Sequence, residues 1–380
     1  MDLSEYRKRI DGIDRQLVAL FSERMEIAKG IAEYKKENGL PVLDASRERA
    51  KLAEIAKMSA PEMRSYTGVL FSQIMELSKA YQEGVLHPDC ELKREILTAI
   101  DRTERLFPEY APVACQGVEG AYSQQACDKL FKTPEIMYCK TWESVFAAVE
   151  SGMCRFGVLP IENSTAGSVN KIYDLMTAHN FYIVRSTRLR ICHSLLAPEG
   201  VKIGDIKEIY SHEQALSQCA GFIKSLGGVK VHVCENTAMA AKAVAESGRR
   251  DAAALSAHSC AELYNLHELQ ASVQDSGSNY TRFICISKKL EIYPGADKTS
   301  IMAVTANKPG ALYKVLSRFF ALGINLIKLE SRPIPDRDFE WMFYFDLDTQ
   351  VYSDQFVRLV CELDGLCERF KYLGSYSEII

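Results

Sequence analysis

The stretch DSGSNYTRFICIS, residues 275–287, decides how this chain is read. Asp275, Ser276, Gly277, Ser278 and Asn279 are turn formers. Phe283, Ile284, Cys285 and Ile286 form an unbroken apolar run of strand length, the pattern of a strand buried on both faces. The hydroxyl of Thr281 and the guanidinium of Arg282 therefore sit where a loop enters a sheet. Rigid scaffolds present reactive groups at such junctions; Thr is also an ordinary strand former, so the position has a plain structural reading as well.

Upstream, residues 113–290 alternate strand and helix patterns. Strands are expected at 113–116, 156–160, 183–185, 189–197, 209–211, 230–233, 251–256 and 269–273. Polar loops run into helices at Ser123, Asn163, Ser211 and Thr237, and each such junction offers free N–H groups and the positive end of a helix dipole to a carboxylate. Singly they are helix caps; together with Thr281 they suggest two α/β lobes around a cleft lined by hydroxyls, amides and backbone N–H groups. No G-x-G-x-x-G occurs, which counts against a dinucleotide cofactor and against a dehydrogenase.

The strings GAYS (120–123), PIENSTAGSV (160–169), SHEQAL (211–216) and NYTRF (279–283), in this order, resemble the prephenate dehydratase family. The resemblance implies a two-lobed, periplasmic-binding-protein-like α/β domain over residues 112–290, with Thr281 as its catalytic group. It implies prephenate contacts at Asn163, Ser164, Thr165, Ser211, Gln214, Thr237, Arg282 and Phe283. The reaction expels CO₂ and the ring hydroxyl. Thr281 would hydrogen-bond or protonate the departing oxygen, acting by orientation and charge stabilisation in a dry cleft. Arg282 either holds a carboxylate or pairs structurally.

The N-terminal third reads as helices. Residues 4–37 form one helix, with Ser4 as a possible cap, about 50 Å long and too long to pack inside one small domain, so it pairs with another chain. Its apolar stripe, Ile10, Ile13, Leu17, Leu20, Phe21, Ala28 and Ile31, shares its phase with Arg7, Arg24 and Lys35. Cations on such a stripe either snorkel and pair with a partner helix or line a dry pocket for a small polyanion. Helices at 46–57 and 61–82 follow; Arg47 and Glu48 fall in the first turn of one, and Ser78 and Gln82 share a face of the other.

This arrangement resembles the all-helical chorismate mutases over residues 1–90. The resemblance implies substrate contacts at Arg7, Arg24, Lys35, Asp44, Arg47, Glu48, Ser78 and Gln82, with Arg7 supplied by the other protomer of a homodimer or higher homo-oligomer. Converting chorismate to prephenate needs no nucleophile. It needs the enolpyruvyl arm held over the ring and charge stabilised at the breaking C–O bond. Arginines suit the two carboxylates, Lys35 and Gln82 the ether oxygen, and Glu48 the ring hydroxyl.

After a linker at 91–111 carrying a short helix at 92–106, residues 298–380 read βαββαβ, the ferredoxin-like order. Strands are expected at 300–306, 324–330, 339–347 and 367–376, and helices at 310–322 and 353–363. NKPGALY (307–313) and LESRP (329–333) resemble the ACT domains of phenylalanine-regulated enzymes. The resemblance implies that L-phenylalanine places its carboxylate on Gly310, Ala311 and Leu312 and its ammonium on Asn325 or Glu330, beside Ser331 and Arg332. The plainer alternative is a dimerisation sheet.

Composition sets the limits. The 380 residues carry a net charge of −4, which gives no general attraction to nucleic acid or an anionic membrane. No apolar run approaches the ~20 residues of a membrane span. The 12 Cys include no C-x-x-C and lie among apolar neighbours, the pattern of buried free thiols in a reducing cytoplasm. The 7 His are scattered, and neither metal nor cofactor is expected. The combined expectation is a multidomain chain, all-α, then α/β two-lobed, then α+β ferredoxin-like: a cytoplasmic chorismate mutase–prephenate dehydratase sensing phenylalanine. Its rivals are a mutase fused to an arogenate dehydratase, or to a non-catalytic solute-binding-like sensor.

Overall fold

The structure, a computed structural model, describes residues 2–42, 44–86, 90–334 and 340–380. The expected strand start at Phe339 and the His87-Pro88 step at the end of the expected helical domain lie outside the described residues. The chain divides into two compact units: residues 1–97, 302–345 and 352–371 form one, and residues 98–301, 346–351 and 372–380 the other. The C-terminal segment 298–380 thus contributes to both.

In the first unit, α1 (Leu3–Glu37) is capped by Asp2 rather than Ser4. The Asp2 carboxylate accepts from the Glu5 N–H at 2.9 Å, and Glu5 accepts from the Asp2 N–H at 3.0 Å. Helices α2 (Ala45–Met58) and α3 (Arg64–Leu86) follow, and α1 and α2 both pack against α3. Helix α4 (Glu91–Arg102) stops short of the expected 106. On α1 only Ala28 and Ala32 are buried, while Ile10, Ile13, Leu17 and Leu20 are all more than half exposed.

The second unit holds β1 (Tyr110–Gln116), α5 (Tyr122–Leu130), β2 (Thr133–Cys139), α6 (Trp142–Glu150), β3 (Phe156–Asn163), β4 (Gly167–Ser168), α7 (Asn170–Ala178) and β5 (Tyr182–Arg190). A second lobe contains β6 (Ser194–Ala197), β7 (Glu208–Ser211), α8 (Glu213–Gln218), α9 (Ala220–Ser225), β8 (Lys230–Val233), α10 (Thr237–Glu246), β9 (Ala252–Ser256), α11 (Ser259–Leu263) and β10 (His267–Gln270). Its sheet runs β10-β6-β9-β7-β8. The chain then returns as β11 (Tyr280–Ser287) into the first lobe, whose strands run β5-β11-β3-β1-β2. Strand β11 is central and antiparallel to both neighbours, with Thr281 opposite Asn163 on β3 and Leu189 on β5. Phe283 through Ile286 are at most 2% exposed, as an apolar strand covered on both faces must be. Each lobe has its own core, Phe131, Phe156 and Val158 in the first and Leu195, Ile209 and Leu255 in the second.

The C-terminal elements are β12 (Lys298–Val304), α12 (Ala311–Ala321), β13 (Asn325–Pro333), β14 (Trp341–Asp348), α13 (Asp354–Leu366) and β15 (Arg369–Ile379), with strand order β13-β14-β12-β15. The expectation of twelve free thiols is corrected in one place: Cys90 and Cys361 are disulfide-bonded, and ten cysteines are free. The Cys spacing gave no sign of this, because the partners lie 271 residues apart. Among the described residues no helix is long and apolar enough to cross a membrane.

Candidate active site

In the α/β unit, a cavity of about 460 Å³ is lined by Thr281, Phe283, Asn163, Gln214 and Thr237. Thr281 and Phe283 face it together because alternate residues of β11 share a face. The Asn163 amide Nδ2 donates to Thr281 Oγ1 at 2.9 Å and to Asn279 Oδ1 at 2.8 Å. Its Oδ1 accepts from the Thr165 and Ala166 N–H groups at 3.0 and 2.9 Å and from the Thr165 hydroxyl at 2.7 Å, which fixes the amide's orientation. Thr281 is therefore an acceptor toward the protein, and its own proton is left to donate into the cavity.

The network continues through residues whose part the sequence did not reveal. Asn279 Nδ2 donates to Gln218 Oε1 at 2.8 Å, and Gln218 Nε2 donates to Thr165 Oγ1 at 3.2 Å. His193 Nε2 lies 3.2 Å from Gln218 Oε1, which accepts only, so the imidazole proton is on Nε2. Burial, the largest influence, lowers the pKa of His193 and keeps the ring neutral. The hydroxyl of Tyr122 joins the cavity wall by donating to the Cys192 carbonyl. Only folding could reveal Gln218 and His193, since each sits in an unremarkable local sequence. Asn279, inside NYTRF, was legible as a turn former and nothing more.

Among the described residues the cavity wall carries no guanidinium; its charged groups are Lys140, Glu143, which pairs with Lys171 at 2.9 Å, and Glu235, so any attraction for an anion comes from Lys140 and the helix starts. The first turns of α5, α6 and α10 contribute Tyr122, Trp142 and Thr237 to its wall, and Lys140 adds a cation. Four expected contacts do not line this cavity. Ser211 is fully buried, and its hydroxyl donates to the Leu255 carbonyl at 2.7 Å, inside the second lobe's sheet. Ser164 latches the loop to the start of β11, accepting from the Tyr280 N–H at 2.9 Å and donating to Ser278 O at 3.1 Å. Arg282 points to the opposite face from Thr281 and pairs with Asp346 and, at 3.5 Å, with Glu162. Burial would discharge it, but the Asp346 carboxylate holds it firmly protonated. Thr165 supports Asn163 and does not line the cavity.

In the helical unit, Arg24 donates to Ser78 Oγ and reaches the Ile74 carbonyl at 3.5 Å; burial lowers the pKa of Arg24. Ser78 and Gln82, both buried, lie one turn apart on α3, and Gln82 Oε1 is buried with no hydrogen-bond partner. Such an orphaned amide oxygen is costly unless something else occupies the site. Lys35 Nζ donates to Val42 O at 2.6 Å, and Glu48 pairs with Lys79 at 2.8 Å. Asp44 caps α2 through the Arg47 N–H at 2.9 Å; both side chains are exposed. Arg7 is exposed and lies 17 residues from Arg24, about 25 Å along α1, so within one chain the structure does not bring the two together.

Of the expected effector residues, Gly310 precedes α12 with φ +83°, a conformation that favours glycine, and Ala311 and Leu312 form the helix's first turn. Asn325 and Glu330 stand on opposite faces of β13, about 17 Å apart, and so do not meet around one small ligand in a single chain. Ser331 is exposed and Arg332 half-buried at the same end of β13 as Glu330.

Comparison with known proteins agrees with this division. Residues 6–83 match the chorismate mutase type II family and residues 113–291 the prephenate dehydratase family. The chain is 32% identical over 383 residues to a bifunctional chorismate mutase/prephenate dehydratase of Aquifex aeolicus, covering 100% of this chain and 99% of that protein. It is 37% identical to arogenate dehydratase 2 of Petunia hybrida, covering 70% of this chain and 71% of that one. A crystal structure of prephenate dehydratase from Arthrobacter aurescens in complex with L-Phe superposes with a TM-score of 0.64 at 27% identity, covering 70% of this chain and 89% of that one.

Proposed function

This chain belongs to the family of bifunctional chorismate mutase/prephenate dehydratases, and from that premise we propose how its residues divide the work. It is an enzyme of phenylalanine biosynthesis: its helical region rearranges chorismate to prephenate, and its two-lobed α/β region converts prephenate to phenylpyruvate with loss of CO₂ and water.

The dehydratase reading rests on one observation, the Thr281 hydroxyl lining the cavity while its oxygen accepts from Asn163. Thr281 donates to the departing ring oxygen. The helix starts of α5, α6 and α10, with Lys140, receive the two carboxylates. Gln214, Thr237 and Phe283 shape the wall. The preference for prephenate over arogenate is proposed on the full-length match to bifunctional enzymes, the arogenate dehydratase match covering 70% of the chain. Steady-state turnover of both substrates by the purified chain, without added cofactor, tests the assignment; exclusive turnover of arogenate reverses it.

For the mutase, Arg24, Lys35, Asp44, Arg47, Glu48, Ser78 and Gln82 form the site with Arg7 of a second copy. The exposed apolar stripe of α1 and the 25 Å separation of Arg7 from Arg24 support a homodimer or larger assembly. The βαββαβ segment is read as an ACT domain that takes L-phenylalanine at Gly310, Ala311 and Leu312, supported by its strand order and by the Arthrobacter complex. Calorimetry with phenylalanine on the intact chain and on Gly310→Ala tests this; equal binding by both removes that turn from the effector site. Ten free thiols, most of them buried, support a cytoplasmic location, and the Cys90–Cys361 bridge counts against it.

A further inference from the structure

Four charges alternate along one line in the helical unit. Glu48 Oε1 lies 2.8 Å from Lys79 Nζ, Lys79 Nζ lies 2.7 Å from Glu76 Oε1, and the same Glu76 oxygen lies 2.7 Å from Lys314 Nζ. Glu48 is on α2, Lys79 and Glu76 on α3, and Lys314 on α12. The inner pair is largely buried, with the Lys79 and Glu76 side chains each 16% exposed, whereas the outer Glu48 and Lys314 side chains are 29% and 39% exposed. Helix α12 is fixed against α3 by two further bonds, Gln73 Nε2 to the Tyr313 hydroxyl at 2.5 Å and Arg318 Nη2 to the Glu76 carbonyl at 3.1 Å. Burial is the largest influence on both Lys79 and Glu76 and opposes their charges, yet the paired hydrogen bonds prevail, leaving the lysine raised and the glutamate lowered.

Two carboxylates compete for one ammonium. With Lys314 present, Glu76 is neutralised from a second side and Lys79 remains shared with Glu48. Lys79 engages one Glu48 oxygen and leaves the other for a hydroxyl. We propose that Lys79 and Lys314 are positioning residues of the mutase site: Lys314 neutralises Glu76 and thereby leaves Lys79 to hold Glu48 in register. This rests on the reading of Glu48 as the group that takes chorismate's ring hydroxyl.

The test is mutase kinetics on the full chain, with prephenate turnover by the same preparation reporting that each variant is folded. Lys79→Gln lowers mutase kcat/KM roughly tenfold and Lys314→Gln a few-fold, the scale of losses from small misplacements of a reacting group. Lys314→Arg restores activity. Glu76→Gln suppresses the Lys314→Gln defect, because with Glu76 neutral the competition for Lys79 disappears; a purely structural role of Lys314 gives no such suppression. In a Glu48→Gln background, Lys314→Gln adds nothing. Normal kcat/KM for Lys79→Gln and Lys314→Gln beside an impaired Glu48→Gln overturns this inference alone. Lack of suppression by Glu76→Gln also overturns it. A fully active Glu48→Gln overturns the reading of Glu48, and this inference with it.

Discussion

In the α/β unit, Thr281, Asn163, Asn279, Gln218 and His193 form one hydrogen-bonded row within a single chain. In the helical unit, Arg7 lies about 25 Å along α1 from Arg24, and the stripe between them faces solvent. A sheet gathers distant segments, so β3, β5 and β11 place their loops around one cavity without outside help. A helix spreads its residues along an axis and gathers them only by packing against another helix. On the proposed assignments, the dehydratase site would be complete in one copy of the chain, whereas the mutase site would draw Arg7 from a second.

The largest test of that contrast is Thr281→Ala. Loss of the donor is expected to cut phenylpyruvate formation by about 10²–10³-fold with mutase turnover retained. If the variant dehydrates prephenate normally, the donor is elsewhere in the cavity; Ser211, spent on Leu255 O, is not available, and Thr237 becomes the candidate. Next is Gln82→Ala, expected to remove ~2–4 kcal/mol of transition-state stabilisation from the mutase and leave prephenate turnover intact. Unchanged mutase rates would take Gln82 out of the site and leave its orphaned Oε1 without a role.

The dependence on a second chain is open to direct test by mixing. Arg7→Ala and Arg24→Ala are each expected to be inactive as mutases. Co-refolded in equal amounts they should recover about a quarter of wild-type activity, since heterodimers contain one site with both arginines. No recovery on mixing means that Arg7 and Arg24 do not act across an interface. The analogous experiment with Thr281→Ala and Asn163→Ala should recover nothing, because both residues belong to one cavity.

The smallest effect concerns pH. Burial lowers the pKa of His193 and of His212, so both contribute stability while neutral. That contribution is whole above their unfolded value of about 6.5 and is lost as pH falls through the lower folded values. No His lies in α1, α2 or α3. Prephenate turnover should therefore fall off on acidification a few-fold more steeply than mutase turnover, and His193→Gln should soften that limb. Parallel acid limbs for the two activities would show that His193 does not set the difference.

Removing residues 298–380 is a poor probe of regulation in this fold. Ser377–Ile379 of β15 pair with β5, and Asp346 of β14 neutralises buried Arg282 on β11. Cutting them away exposes the edge of the dehydratase sheet and strands a buried charge. Point variants at Gly310 keep both.

By itself the sequence determined the helices of the N-terminal third, the alternation of strands and helices after residue 113, the βαββαβ order at the C-terminus and the place of Thr281 at a loop–strand junction. These follow from periodicity and turn chemistry, which are local. It also placed Ser78 and Gln82 on one face of α3 and Arg24 in phase with the apolar stripe of α1, since helical spacing is regular; that Arg24 meets Ser78 was decided by packing. Only the tertiary structure decided that Arg282 pairs with Asp346, that Ser211 turns into the sheet, that Gln218 meets both Asn279 and His193, and that Cys90 meets Cys361. Each of those depends on partners tens to hundreds of residues away. A buried polar group must find a partner, but its own sequence neighbourhood carries no record of which one.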